Sequence, residues 1–179
     1  MTTEHFVKPE LGGFEDKIVT YHEAVARIRE NRERGLKVVL AQGVFDIVHV
    51  GHLEYLRRAK LACDLLFVGI ENDLCVRSNK GDGRPFNNLV DRLEFLSQLQ
   101  SVDFAFGFDD APFYSDPASR DAYILRYREL NPNAIAVTTW DSNTNLKELQ
   151  AREAGIGLLY IDVAKRDSTT RLLHATGYE

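Results

Sequence analysis

Residues 37–56 read KVVLAQGVFDIVHVGHLEYL, and the order of this stretch sets the fold class. Its first nine residues, KVVLAQGVF, are mostly apolar and include β-branched valines, the composition of a strand buried on both faces. From Leu53 the apolar residues recur at Leu56, Ala59 and Cys63, the spacing of a helix that buries one side. A buried strand leading into a helix opens a parallel unit, because parallel strands need a crossover between them.

The rest of the chain repeats the alternation. Upstream, the pattern predicts a helix over 21–34, with Ala24, Val25 and Ile28 inward and a stop at Gly35. Downstream, DLLFVGI (64–70) reads as a strand and RSNKGDGRPFNN (77–88) as a loop. A helix follows with Leu89, Leu93, Leu96 and Leu99 on its inner side. VDFAFGF (102–108) is the next strand, and Pro117 and Pro132 bracket a helix over 118–130. Strand AIAVTT, helix 144–154 ending at Gly155, strand GLLYIDV and a short helix opening at Ser168 complete the pattern. The predicted class is α/β: a single Rossmann-like domain over 17–179, with a five-stranded, mostly parallel sheet and helices on both faces. Residues 1–16 are expected to form a mobile arm.

A chain of 179 residues is long enough to bury one sizeable core. With 27 acidic residues against 22 Lys and Arg, the formal charge of −5 lacks the basic footprint of a general nucleic-acid binder. No apolar run approaches the roughly 20 residues of a spanning helix, and MTTEHFVKPELGGFED is not built like a secretory signal. The expectation is a cytoplasmic protein without nucleic-acid or membrane partners. Cys63 and Cys75 fit no metal or redox spacing and read as reduced small hydrophobes.

In a parallel sheet, ligands bind beyond the carboxyl ends of the strands. The first strand ends near Phe45, so Asp46 to His52 lie at such an end. Gly51 lets backbone approach a ligand closely, and the helix beginning there directs free N–H groups and its positive dipole end at the same point. His49 and His52, three apart, can face one way and suit the oxygens of a phosphate undergoing substitution. The same residues could instead cap the helix, or supply two ligands of a zinc site. Zinc would need a third ligand, and His5, His22 and His174 stand at no recognisable spacing.

GVFDIVHVGH resembles the Gly-x-Phe-Asp-x-x-His-x-Gly-His signature, the HxGH motif, of cytidylyltransferase-like nucleotidyltransferases. The resemblance extends over residues 17–179 and is nearest to the adenylyltransferase domain of bifunctional heptose-phosphate enzymes. Glycerol-3-phosphate cytidylyltransferase is a more distant likeness. KIVTYHEAVARIRENRERGLKVVLAQGVFD, ENDLCVRSNKGDGRPFNNLVDR and DSTTRLL carry the similarity. It implies transfer of a nucleotidyl group from ATP, or less favoured CTP, to a phosphorylated sugar or polyol, with release of pyrophosphate. A phosphomonoester has its second pKa near ~6 and is already an anionic nucleophile at neutral pH. No general base is then required, and alignment with charge neutralisation suffices.

The resemblance also implies roles. His49, His52 and Lys80 would be catalytic, with Lys80 on the α-phosphate. Gly43, Phe45, Gly51, Asp141, Arg166, Ser168, Thr169 and Thr170 would bind the nucleotide, the three hydroxyls holding the outgoing phosphates. Asp46, Asp73, Arg84 and Arg92 would lie on the acceptor side, although an exposed helix charge is the plain alternative for Arg92. Mg²⁺ is expected with the triphosphate, held by few protein ligands, and its site is unassigned. A homodimer is common in the family. The chain departs from the family pattern at Thr138, Thr139 and Trp140, where sugar-phosphate adenylyltransferases carry Lys-Gly-Gly before the Asp that survives here as Asp141. Trp140 would stack on a base or fill core, and the 109–132 segment is longer than expected. A nucleotide sensor that kept the fold without turnover is the rival reading. A class I aminoacyl-tRNA synthetase relative shares His-x-Gly-His, but the chain lacks that class's Lys-Met-Ser-Lys-Ser partner.

Overall fold

The computed structural model describes residues 13–110, 112, 117–139, 141 and 143–163. The strands are β1 (Val38–Gly43), β2 (Leu65–Ile70), β3 (Phe104–Gly107), β4 (Ala134–Thr138) and β5 (Gly157–Ile161). The helices are α1 (Tyr21–Glu33), α2 (Val50–Leu61), α3 (Asp73–Lys80), α4 (Leu89–Ser97), α5 (Pro117–Leu130) and α6 (Thr144–Ala154). Strand order is β3-β2-β1-β4-β5, and every pairing is parallel, so the mostly parallel sheet expected from the sequence is wholly parallel among the described strands.

Alternation of side chains along the strands divides the core in two. Val39 and Ala41 of β1, with Leu66, Val68 and Ile70 of β2, pack against Leu56 and Ala59 of α2 and Leu96 of α4. Val38 and Leu40, with Phe67 and Phe106, face Ala24 and Ile28 of α1, Tyr123 and Tyr127 of α5 and Ala151 of α6. Each fully buried Leu, Ile or Phe contributes roughly 1.5–3 kcal/mol, so two filled faces outweigh local propensity in fixing the sheet.

The chain leaves β1 toward β2 and β3, then returns to β4 on the other side of β1, which makes a topological switch point beside β1. Register aligns the carboxyl ends there. Gly43 pairs with Ile70 and Ile70 with Gly107, so β1, β2 and β3 stop level with one another. Gly69 makes room for the ring of Phe108 at the end of the neighbouring strand: a Cβ on it would stand 2.6 Å from that ring.

One element differs from the sequence expectation. The 77–88 stretch is not all loop, because α3 runs to Lys80 between an Asn72 cap and Gly81 at φ 89°. The second helix starts at Val50, beside the Gly51 start expected from the sequence, and His49 caps it. Most of the expected arm lies outside the described residues. Its end, Glu15–Lys17, forms a short 3-10 helix, and Lys17 Nζ donates to the Leu99 carbonyl at 3.1 Å. The helix expected at Ser168 also lies outside them. Both cysteines are free thiols. Among the described residues no helix is long and apolar enough to cross a membrane.

Candidate active site

The mouth is built where β1 ends. Phe45 takes φ 50°, a left-handed conformation that a side-chain-bearing residue adopts at a cost of about 1–2 kcal/mol. The turn is held from outside: buried Arg92 donates to the Val44 carbonyl at 2.6 Å. Gly43 gives the Phe45 ring its space, since a Cβ there would stand 3.0 Å from the ring edge. The ring in turn packs on His52, centroid to centroid 5.3 Å.

The two histidines form a reciprocal cap. His49 Nδ1 accepts from the Gly51 N–H at 3.2 Å, and His52 Nδ1 accepts from the His49 N–H at 3.4 Å. Imidazoles thus replace the Ser or Thr and the Glu of an ordinary capping box. A ring nitrogen that accepts a hydrogen bond carries no proton, so each neutral ring holds its proton on Nε2. The rings stack at 4.0 Å. Desolvation, with the charges of His49 and Lys80 second and third, pushes His52 down to about 4. It is therefore a neutral donor at physiological pH.

Lys80, the last residue of α3, is an exposed residue, yet its ammonium is held below the usual lysine value. Desolvation of its head leads, followed by the repulsion of Arg84, while Asp46 opposes and Arg92 adds to the lowering. Lys80, Arg84, Arg92 and Asp46 therefore share one neighbourhood with His52. Asp46 is buried and accepts the Asn87 N–H at 2.9 Å through Oδ1. Arg84 Nη2 stands 2.9 Å from Asp46 Oδ2 in ion-pair contact, off the line of a directed hydrogen bond. Arg92 is no exposed helix charge. It is 1% exposed and reaches Asn87 carbonyl at 3.0 Å, Val44 carbonyl at 2.6 Å and Asp73 Oδ1 at 2.7 Å. It is a strut that ties α4 to the β1 exit and to the start of α3.

Across β1, Asp141 lies in the turn after β4. Burial would raise its pKa, but the charge of Lys147 and bonds from Lys147 Nζ (2.7 Å) and the Asn143 N–H (2.9 Å) hold it below the usual value. Among the described residues, no three His, Cys, Asp or Glu side chains are grouped to hold a metal. The zinc reading of His49 and His52 therefore has no third ligand there.

The family profile described as cytidylyltransferase-like matches residues 40–170, which spans the β1 exit, both histidines and α3. The chain belongs to that family. A curated relative, bifunctional protein HldE of Wolinella succinogenes, is 37% identical over 111 residues, 62% of this chain and 23% of that protein. HldE of Sulfurimonas denitrificans is 44% identical over 94 residues, 52% of this chain and 20% of that protein. The matches thus span about a fifth of those relatives' length. Among solved structures, the lipopolysaccharide core biosynthesis protein from Thermoplasma volcanium GSS1 matches at 29% identity and TM-score 0.55, covering 74% of this chain and 100% of that one. Pantoate-beta-alanine ligase from Francisella tularensis, complexed with beta-gamma ATP and beta-alanine, shares the fold at 16% identity and TM-score 0.62, over 83% of this chain and 67% of its own.

For this cytidylyltransferase-like chain, the structure brings Gly43, Phe45, Asp46, His49, Gly51, His52, Asp73, Lys80, Arg84 and Arg92 to one end of the sheet. Trp140, Arg166, Ser168, Thr169 and Thr170 lie outside the described residues. Sequence reasoning missed Asn87, which clamps Asp46 from both sides through its N–H and its side-chain amide. It also missed the buried Glu71 and Arg126. A charged residue directly after a buried strand, as Glu71 is, was the available signal.

Proposed function

We propose that this protein transfers the nucleotidyl group of ATP to a sugar phosphate or polyol phosphate and releases pyrophosphate. The observation that carries the reading is the stacked His49–His52 pair at the α2 N-terminus. Each neutral ring has its proton on Nε2, and the Lys80 charge acts on His52 from the same mouth. A dianionic acceptor phosphate attacks the α-phosphorus, a new P–O bond forms, and the bond to the β-phosphate oxygen breaks with its electron pair leaving on pyrophosphate. Charge spreads over the α-phosphate oxygens in that transition state, where preorganised donors act most strongly.

His49 and His52 supply those donors, Lys80 neutralises the α-phosphate, and Arg84 lies on the acceptor side. Arg92 fixes the floor. Arg166 and Ser168 to Thr170 are proposed for the departing phosphates. Mg²⁺ would enter as the triphosphate complex, since the Asp46 carboxylate is already engaged by Asn87 and Arg84. The resemblance of the chain to the adenylyltransferase domain of bifunctional heptose-phosphate enzymes supports ATP over CTP. A pyrophosphate-release assay with four nucleoside triphosphates and a panel of phosphorylated sugars and polyols tests this. Release that needs both ATP and one such acceptor supports the proposal; tight ATP binding with no release for any acceptor replaces it with a nucleotide sensor.

A further inference from the structure

Behind the acceptor side, a second polar cluster is buried where β2 ends. Glu71, 2% exposed, directly follows that strand. Its carboxylate accepts from Gln42 Nε2 at 2.8 Å, Tyr123 Oη at 3.0 Å and Arg126 Nη1 at 3.2 Å to each oxygen. Arg126, 4% exposed on α5, also reaches past β3, where Nε donates to Asp110 Oδ1 at 2.7 Å and Nη2 to the Asp110 carbonyl at 3.1 Å. Its guanidinium lies 4.0 Å from the Phe108 ring centroid. Five donors in a fixed plane suit a guanidinium, and no ammonium, to bridging two carboxylates at once.

A buried ion pair is weak evidence of stabilisation, because desolvation offsets most of its attraction. The geometry of what it holds is more telling. Phe108, Asp110 and Pro112 lie against α3 and bond both of its ends. At the start, the Asn72 side-chain amide donates to the carbonyls of Phe108 at 3.1 Å and Asp110 at 2.9 Å, while its oxygen caps the Cys75 N–H at 2.8 Å. At the finish, Asn79 Nδ2 donates to the Pro112 carbonyl at 3.0 Å. Asp73, next to Asn72, anchors Arg92, and Lys80 follows Asn79.

We propose that Arg126 is a positioning residue: by locking Asp110 to Glu71 it straps α3 along its length and so sets Lys80 and the Asp73–Arg92 strut. This rests on the nucleotidyltransferase reading for its functional consequence. The strap bears on the acceptor side through Asp73 and Arg92 and on the α-phosphate only through Lys80, and it leaves the α2 and β4 side of the mouth alone. Its loss therefore degrades use of the acceptor more than it weakens nucleotide binding.

The test compares wild type with Arg126→Met, Arg126→Lys and Asp110→Ala, and with Arg120→Ala as a control, since Arg120, elsewhere on α5, pairs with Glu153 of α6. Three quantities are read: kcat/KM for the acceptor, Kd for MgATP by calorimetry, and amide hydrogen exchange over residues 72–80 without substrate. Arg126→Met is expected to lower acceptor kcat/KM about tenfold or more and to weaken MgATP binding by a clearly smaller factor. Exchange at Cys75 and Val76 should rise, Arg126→Lys should restore part of the loss, and Arg120→Ala should match wild type. Asp110→Ala should move the same readouts in the same direction, and it decides the matter if Arg126→Met does not fold. Unchanged exchange over 72–80, or equal losses for nucleotide and acceptor, would overturn the strap. If wild type transfers to no acceptor, the proposed function fails, whereas the exchange data still decide whether Arg126 holds α3.

Discussion

At the residue scale, His49 and His52 perform two jobs through different nitrogens: Nδ1 caps α2 and Nε2–H is the donor proposed for phosphate. The jobs can be separated. Asn is a good N-cap and Gln a good third-position partner, so His49→Asn and His52→Gln should change unfolding free energy by no more than ~1 kcal/mol. Turnover should fall by about 10²–10³-fold in each, the usual cost of one transition-state donor. Denaturant melts beside pyrophosphate-release rates check this, and equal loss of both would reduce the pair to a structural cap. The depressed His52 value gives a further test. Between about 6.5 and about 4 the unfolded chain binds a proton that the folded chain refuses, so stability falls as pH falls through that window. Urea unfolding at pH 7 and pH 5 should show that loss in wild type and a smaller one in His52→Gln. The histidine cap was legible because it is local, within three residues. Arg92 was not, because its partners Asp73 and Val44 lie 19 and 48 residues away and only the fold brings them near. Glu71 and Arg126, 55 residues apart, were hidden for the same reason.

At the element scale, the strands were plain in the sequence because burial on both faces demands continuous apolar runs, and β1, β2 and β4 have them. Helix α3 was hidden. It has eight residues and buries only Cys75 and Val76, and Ser78, Asn79 and Lys80 blend into the polar loop that follows. Its signals were its ends, Asn72 as a side-chain cap and Gly81 at positive φ, which are marks that loops share. Contacts beyond α3 make it a helix: Asn72 and Asn79 are tied to the segment after β3. That segment depends in turn on Gly69. A methyl group there would stand 2.6 Å from the Phe108 ring, which also supports Arg126 through a 4.0 Å contact. Gly69→Ala should therefore destabilise by about 1–3 kcal/mol, the usual range for overpacking. It should also raise amide exchange in α3 beyond what the lost stability alone explains. Thermal melts and exchange mapping would show this, and a neutral substitution would mean that Phe108 turns aside freely.

At the scale of the whole molecule, a chain of net charge −5 is proposed to bind a polyanion, so the local arrangement of cations must prevail over the overall sign. Screening makes this feasible, because beyond ~8–10 Å at physiological ionic strength distant surface acids are largely silent. Lys80, Arg84 and Arg92 stand together at the carboxyl ends of β1 and β2. A triphosphate at the switch point would engage the β1 turn, the start of α2 and the turn after β4 at once, so binding is coupled to the whole sheet. Saturating MgATP, at 100 times its Kd, adds about 2.7 kcal/mol to the folded state. For a chain of this size that corresponds to a rise in Tm of about 5–10 °C. MgCTP at the same concentration should give a smaller rise, as the proposed use of ATP requires. Differential scanning with each nucleotide, with and without Mg²⁺, makes the comparison. A larger shift with MgCTP would reverse the nucleotide assignment while leaving the site in place. No shift with any triphosphate would remove the polyphosphate cradle itself, because a site able to neutralise α-phosphate charge in the transition state must already bind part of that charge in the ground state.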